Sequence, residues 1–277
     1  MSFSQEEILS ELETVKDTKG KNLDIAKIAL LLASLDLPNK TLAPYQNHLK
    51  NISRDLSSAA QGARKLSDLV RALSDLFYGL YGYSGDVESF NDMQNANIMR
   101  VIDRKKGLPV ALGILLIHVS RAQSWQITGV NFPGYFLLRF THEGEQVLVD
   151  PFNNAKILTV DDLNNLSASI HGGGERLRPN HLKSVTDRDV LLRLQNNIKT
   201  RALKSGDSAR AFEVIERMHR IAPDNANIVS EMAMLEANYG NIKRSLSYLS
   251  EFLLRWKDHP NEGQIEAILD SLKRRLN

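Results

Sequence analysis

The chain has no cysteine among its 277 residues. That excludes disulfides, thiolate zinc sites and any cysteine nucleophile, and it suits a reducing compartment. Neither sign of charge is in excess. The 35 Lys and Arg against 33 Asp and Glu leave a net charge of +2, which offers no general attraction for nucleic acid or an anionic membrane. Long apolar runs are also missing. The longest, Leu108 to Val119, is interrupted by Pro109 and His118 and falls well short of the roughly 20 residues a membrane helix needs. The opening Met1-Ser2-Phe3-Ser4-Gln5-Glu6-Glu7 is polar and acidic, with none of the apolar character of a secretory signal. A cytoplasmic protein is expected, with no membrane contact.

Phosphate-cradling signatures are absent as well. No Gly-x-Gly-x-x-Gly or Walker sequence occurs, and Gly172-Gly173-Gly174 has no following Lys-Ser or Lys-Thr. The seven His never stand four apart, and His142 beside Glu143 and Glu145 reads as a hairpin turn, so no metal or other cofactor is expected. Aromatic and basic residues do not interleave as in single-strand nucleic-acid binders, so nucleic acid is not an expected partner.

The length suggests one large or two ordinary domains with ample core. From Ser4 to about Leu80 the pattern is helical. Ser4 with Glu7 makes a capping box ahead of the face Ile8, Leu9, Leu12 and Val15. Leu23–Leu35, Ala43–Leu56, Ala63–Leu80 and Gln94–Asp103 follow, with a turn-rich break at Tyr81-Gly82-Tyr83-Ser84-Gly85-Asp86. Pro109 to Arg121 is apolar on nearly every face, which places that helix in the middle of a domain. Its Pro stands in the first turn, where Pro is tolerated. Ile127–Phe132, Tyr135–Phe140 and Gln146–Val149 alternate as strands, interrupted at Pro133-Gly134 and turned at Glu143-Gly144. The fold class is α+β: a helical N-terminal region, then a buried helix packed on a small antiparallel sheet. Ser169–Arg178 reads as a mobile loop. After Pro179 the chain is helical, and Gly206 and Gly240 stand one tetratricopeptide period of 34 residues apart, with Ala211 and Pro223 at the matching flanks. The second unit is looser, with Ser245 in the small-residue slot. These readings divide the chain into residues 1–178 and 179–277.

Three stretches carry a further resemblance. They are Asn95-Ala96-Asn97-Ile98 with Val101-Ile102-Asp103-Arg104-Lys105-Lys106-Gly107-Leu108-Pro109, then Gly129-Val130-Asn131-Phe132-Pro133-Gly134-Tyr135-Phe136, then Val149-Asp150-Pro151-Phe152. Their order resembles the core of transglutaminase-like and papain-like proteins. With the C-terminal repeats, the chain from about residue 60 resembles the SirB-type bacterial family, in which such a core precedes tetratricopeptide-like helices. In the related enzymes a Cys opens the helix, a His sits on the first strand and an Asp on the next. The resemblance implies that Pro109 to Ala111 occupy the nucleophile slot, Tyr135 the His slot and Asp150 the Asp slot.

Acyl transfer through a covalent intermediate needs a nucleophile, a base and a group to orient the base. None of Pro109, Val110 and Ala111 can attack a carbonyl, and a tyrosine that titrates near 10 is a poor base at neutral pH. Losing one member of such a triad costs several powers of ten, and the sequence leans against catalysis. Asp150 reads either as an Asp-Pro turn cap or as part of a residual ligand pocket. Tyr135 reads as an aromatic packed at a strand start whose hydroxyl can bond Asp150. Arg104-Lys105-Lys106 reads as a solvated helix end, with an anion or partner contact at a cleft mouth as the alternative. Asn95 and Arg139 are further candidate contacts, Arg139 being out of phase with Phe136, Leu138 and Phe140. His118 reads as a core histidine. The leading expectation is a non-catalytic protein that binds another protein through its C-terminal helices. The alternative is a hydrolase or acyltransferase with rebuilt chemistry, using Asp150 and a hydroxyl such as Tyr135 or Ser120.

Overall fold

The computed structural model describes residues 4–18, 23–171 and 178–276, and the Gly172-Gly173-Gly174 run lies outside them. Two compact units emerge. One comprises Met1–Ser4 with Gly20–Leu194, the other Gln5–Lys19 with Gln195–Asn277. The division therefore falls at Leu194/Gln195, inside a helix, where composition suggests residue 178.

The first unit opens with helices α2 (Ile25–Ser34), α3 (Ala43–Ala59), α4 (Leu66–Ser74) and α5 (Ile98–Arg104); helix α1 belongs to the other unit and is described with it. Asp24 caps α2 by accepting from the Lys27 N–H at 3.1 Å. Every residue of α2 except Lys27 is buried. The single helix expected over Ala63–Leu80 is instead α4 followed by a π-helical turn, Asp75–Leu80. Ser84–Gly85 (β1) and Lys106–Gly107 (β2) form a short parallel pair that sequence periodicity does not show. Two-residue strands have no periodicity to read.

Helix α6 (Pro109–Arg121) is buried on every face, as its composition requires. It lies against strands β3 (Gln126–Val130) and β4 (Leu137–His142). With β5 (Glu145–Asp150), β6 (Lys156–Ile157) and β7 (Ser184–Val185) these form an antiparallel sheet in the order β6-β5-β4-β3-β7. Ile127 pairs with Phe140, and Leu138 with Val149. The β4–β5 turn, Glu143-Gly144, has positive φ at both residues, the two-residue geometry that matches strand twist. Gly113 lets α6 approach: a Cβ there would stand 2.5 Å from Cε1 of Phe136. Helix α7 (Val160–His171) supplies Leu163, Leu166 and Ile170 to a cluster with Val130, Leu137 and Leu148. It takes in Ser169 to His171, which the sequence assigns to a loop.

In the second unit α1 (Gln5–Glu13) packs on α9 (Ser208–Ile221). The end of α8 (Asp187–Lys204), α10 (Ala226–Asn238), α11 (Ile242–Arg255) and α12 (Glu262–Leu276) complete it. Ile8 and Leu12 of α1 are buried, as is Val15 in the 3₁₀ turn that follows. Gly206 and Gly240 take φ of +77° and +83° in the turns ahead of α9 and α11, a backbone state that costs glycine nothing. Ser245 is fully buried and its hydroxyl donates to the Ala233 carbonyl at 2.5 Å. That small side chain brings α11 close to α10.

Candidate functional site

Asp150 ends β5, and a turn with Asn154 and Ala155 both at φ +52° follows it. Its carboxylate is 3% exposed. One oxygen accepts the Phe152 N–H at 2.8 Å and the other the Asn153 amide at 2.6 Å. The Tyr135 hydroxyl lies 3.2 and 3.3 Å from the two oxygens. Next to this group the Tyr78 hydroxyl donates to the Pro151 carbonyl at 2.6 Å. Asp150 therefore closes the turn after β5 and holds Tyr135.

Tyr135 stands two residues ahead of β4, in a turn closed by its own N–H to the Phe132 carbonyl at 2.9 Å. The strand start expected at Tyr135 is displaced because Pro133-Gly134 bends the chain, with Gly134 at φ +69°. Burial first, and then the charge of Asp150, push the phenol of Tyr135 far above its ordinary range. Tyr78 is pushed the same way for the same reasons, burial first. Both phenols stay protonated at neutral pH, so neither accepts a proton there.

The nucleophile slot is filled with packing residues. Pro109, Val110 and Ala111 are buried at the start of α6, and the Leu108 N–H ahead of them donates to the Asn95 carbonyl at 3.0 Å. Ser120 stands at the opposite end of α6 from Pro109, buried, with its hydroxyl unpartnered among the described residues.

The basic cluster is not a solvated helix end. Arg104 reaches Asp86 and the Asn95 side chain, both at 2.8 Å. Asp86 is 1% exposed and also accepts from the Ser89 N–H and hydroxyl at 2.9 and 2.6 Å. Burial pushes the Asp86 carboxyl up, but hydrogen bonds from Ser89, Arg104 and Asn95 outweigh it and hold it well below the usual carboxylate range. Asn95 is fully buried and donates to the Ser89 carbonyl at 2.7 Å. Asn95 and Arg104 thus pin the loop before α5. Lys105, at φ +59°, lays its ammonium 4.5 Å from the Tyr83 ring centre and 2.8 Å from His48 Nε2. Lys106 reaches Glu88 at 3.4 Å. Arg139 binds Ser184 at 3.1 Å and the Leu182 carbonyl, tying β4 to the segment that carries β7. His118 faces Asp24 at 3.5 Å.

The structure brings Tyr135 and Asp150 together, and Asn95 with Arg104. Lys105 and Arg139 each serve a separate contact. Reasoning from sequence does not single out Asp86, His48, Tyr78 or Asn153. Asp86 with Ser89 three positions on is a recognisable turn signal; the others come together only through the fold. Among the described residues, no three His, Asp or Glu side chains are grouped to hold a metal ion, and no helix is long and apolar enough to cross a membrane.

Comparison with known proteins agrees with this architecture. A UPF0162 protein of Xylella fastidiosa (strain Temecula1) is 24% identical over 95% of this chain and 94% of its own. A UPF0162 protein of Vibrio cholerae is 28% identical over 89% and 90%. A crystal structure of menin covers 95% of this chain and 70% of its own at 9% identity and a TM-score of 0.41, too slight a likeness to argue from. The Transglutaminase-like superfamily matches residues 43–196, which hold α6, the sheet, Tyr135 and Asp150. The chain belongs to the Transglutaminase-like superfamily.

Proposed function

We propose that this protein is a non-catalytic member of its superfamily, a cytoplasmic interaction or regulatory module that binds another protein through its C-terminal helices. One observation carries the reading. Both oxygens of Asp150 are committed to Phe152, Asn153 and Tyr135, so the carboxylate orients no base and the fold keeps the contact without the chemistry. The absence of cysteine and the packed start of α6 point the same way. The matching turns at Gly206 and Gly240 support reading the C-terminal helices as two tetratricopeptide-like units, the combination found in SirB-type proteins. The competing reading, a hydrolase or acyltransferase rebuilt on Asp150 and a hydroxyl, needs a carboxylate free to take a proton.

The purified full chain, assayed against peptide, amide and ester substrates, is expected to show no turnover above buffer. Turnover that Asp150→Asn abolishes, with the variant still folded by circular dichroism, overturns the proposal.

A further inference from the structure

The second unit contains a cleft of about 290 Å³, formed by the 3₁₀ turn Thr14–Thr18, α9, α10 and α11. Its cations are not all paired. Glu13 pairs with Arg220 at 2.5 Å, and Glu216 with Arg244 at 3.5 Å. Lys16 and Arg255 remain, and among the described residues neither has a carboxylate partner. The Arg255 guanidinium lies 5.5 Å from the Trp256 ring centre. On the cleft's own lining cations exceed anions by one, and Glu251 on the adjoining wall offsets that excess.

The uncharged polar groups are equally incomplete. Tyr248 accepts from Arg244 Nε at 3.0 Å, which leaves its own proton to donate elsewhere. His219 Nδ1 is buried and, among the described residues, has no hydrogen-bond partner. Burial first, then Arg255 and Arg220, lower the His219 pKa, against an opposing pull from Glu251, so the ring stays neutral at pH 7. Pro223 and Met232 give the cleft an apolar wall, which Val229, Phe252 and Trp256 extend.

We infer that this cleft binds the carboxylate of a ligand with an apolar stem. Lys16 and Arg255 pair with the carboxylate, and Tyr248 donates to it. A single negative charge suits the lining better than a phosphate dianion, because Glu13 and Glu216 line the cleft and Glu251 lines the adjoining wall. The volume is at the lower end for small-ligand sites, about 300 Å³, which admits a chain end and not a folded surface. The C-terminus of a peptide and a free carboxylic acid share this chemistry. The peptide source rests on the proposal that these helices bind a protein; the anion site does not.

Calorimetric titration of the full chain with N-acetyl-leucyl-leucine, its C-terminal amide and hexanoate tests the inference. The peptide acid is expected to bind at least about tenfold more tightly than the amide, and Lys16→Met and Arg255→Met to weaken it about five- to tenfold each. Hexanoate bound as tightly as the peptide acid keeps the site and removes the peptide, and with it support for a protein partner. Equal affinity for acid and amide, no binding of any probe at millimolar concentration, or undiminished binding by a folded Lys16→Met/Arg255→Met double variant overturns the inference.

Discussion

Gly113→Ala tests how tightly α6 is seated on the sheet. An added Cβ would lie 2.5 Å from Cε1 of Phe136 and 3.2 Å from Cδ1, against ordinary carbon contacts of about 3.5–4.0 Å. The ring must therefore retreat by roughly 1 Å. It has little room to do so, because Phe136 is 1% exposed and its far edge faces the backbone of Gly129 on β3. Overpacking of this kind costs about 1–3 kcal/mol, whereas replacing a mid-helix glycine by alanine gains about 1 kcal/mol. A net loss of up to about 2 kcal/mol is expected, equivalent to a fall in Tm of up to roughly 8 °C for a unit of this size. Urea denaturation followed by circular dichroism reads the first quantity and calorimetry the second. Phe136→Leu frees the space, so the same alanine placed in that background should cost little, with a coupling of about 1 kcal/mol or more between the two sites. A Gly113→Ala protein that is more stable than wild type, or strictly additive double-variant energies, would refute the reasoning.

Three further outcomes follow from buried polar groups. Asp150→Ala leaves the Phe152 N–H, the Asn153 amide and the Tyr135 hydroxyl without their acceptor and should lose about 2–4 kcal/mol in urea denaturation; Asp150→Asn, which keeps one acceptor, should lose about half as much. Arg121→Leu strips Asp187 of two hydrogen bonds at 2.6 and 2.9 Å and leaves it, among the described residues, only the Leu23 N–H; with Asp187 4% exposed, a loss of about 2–4 kcal/mol is expected, and a loss below 1 kcal/mol would contradict it. Burial, then the Lys105 charge, holds His48 down to about 4, so between pH 6.5 and 4 the unfolded chain binds a proton that the folded chain does not. Stability should therefore fall with pH across that window, by about 1–2 kcal/mol after allowance for partial exposure, and His48→Gln should remove that part of the slope in denaturation series at pH 4.5 and 7.

The parts of the fold legible in the sequence are those whose burial repeats along one element. Helix α6 is apolar on every side, and the central strands alternate, so both stand out from residues 109–149 alone. Tyr135 and Asp150 are legible as a pair because they flank that pattern in a familiar order. What escapes is set by contacts between distant segments. His48 meets Lys105 only because α3 lies beside the end of α5, and Asp86 is buried only because Arg104 and Ser89 close over it. The basic run Arg104-Lys105-Lys106 carries no sign in itself that each cation turns to a different partner. β6 and β7 are too short to show a period, and α7 reads weakly because most of its residues are polar.

The second unit is made from both ends of the chain, and this has a consequence for biosynthesis. α1 leaves the ribosome ahead of the first unit, yet its partner α9 is made only after the whole of that unit. At about 5–20 residues per second, Ile8, Leu12 and Val15 spend of order ten to forty seconds without the helix they are built to cover. Through that interval the nascent chain carries a short amphipathic segment with its apolar side uncovered, open to a chaperone or to the same segment of a neighbouring chain on one polysome.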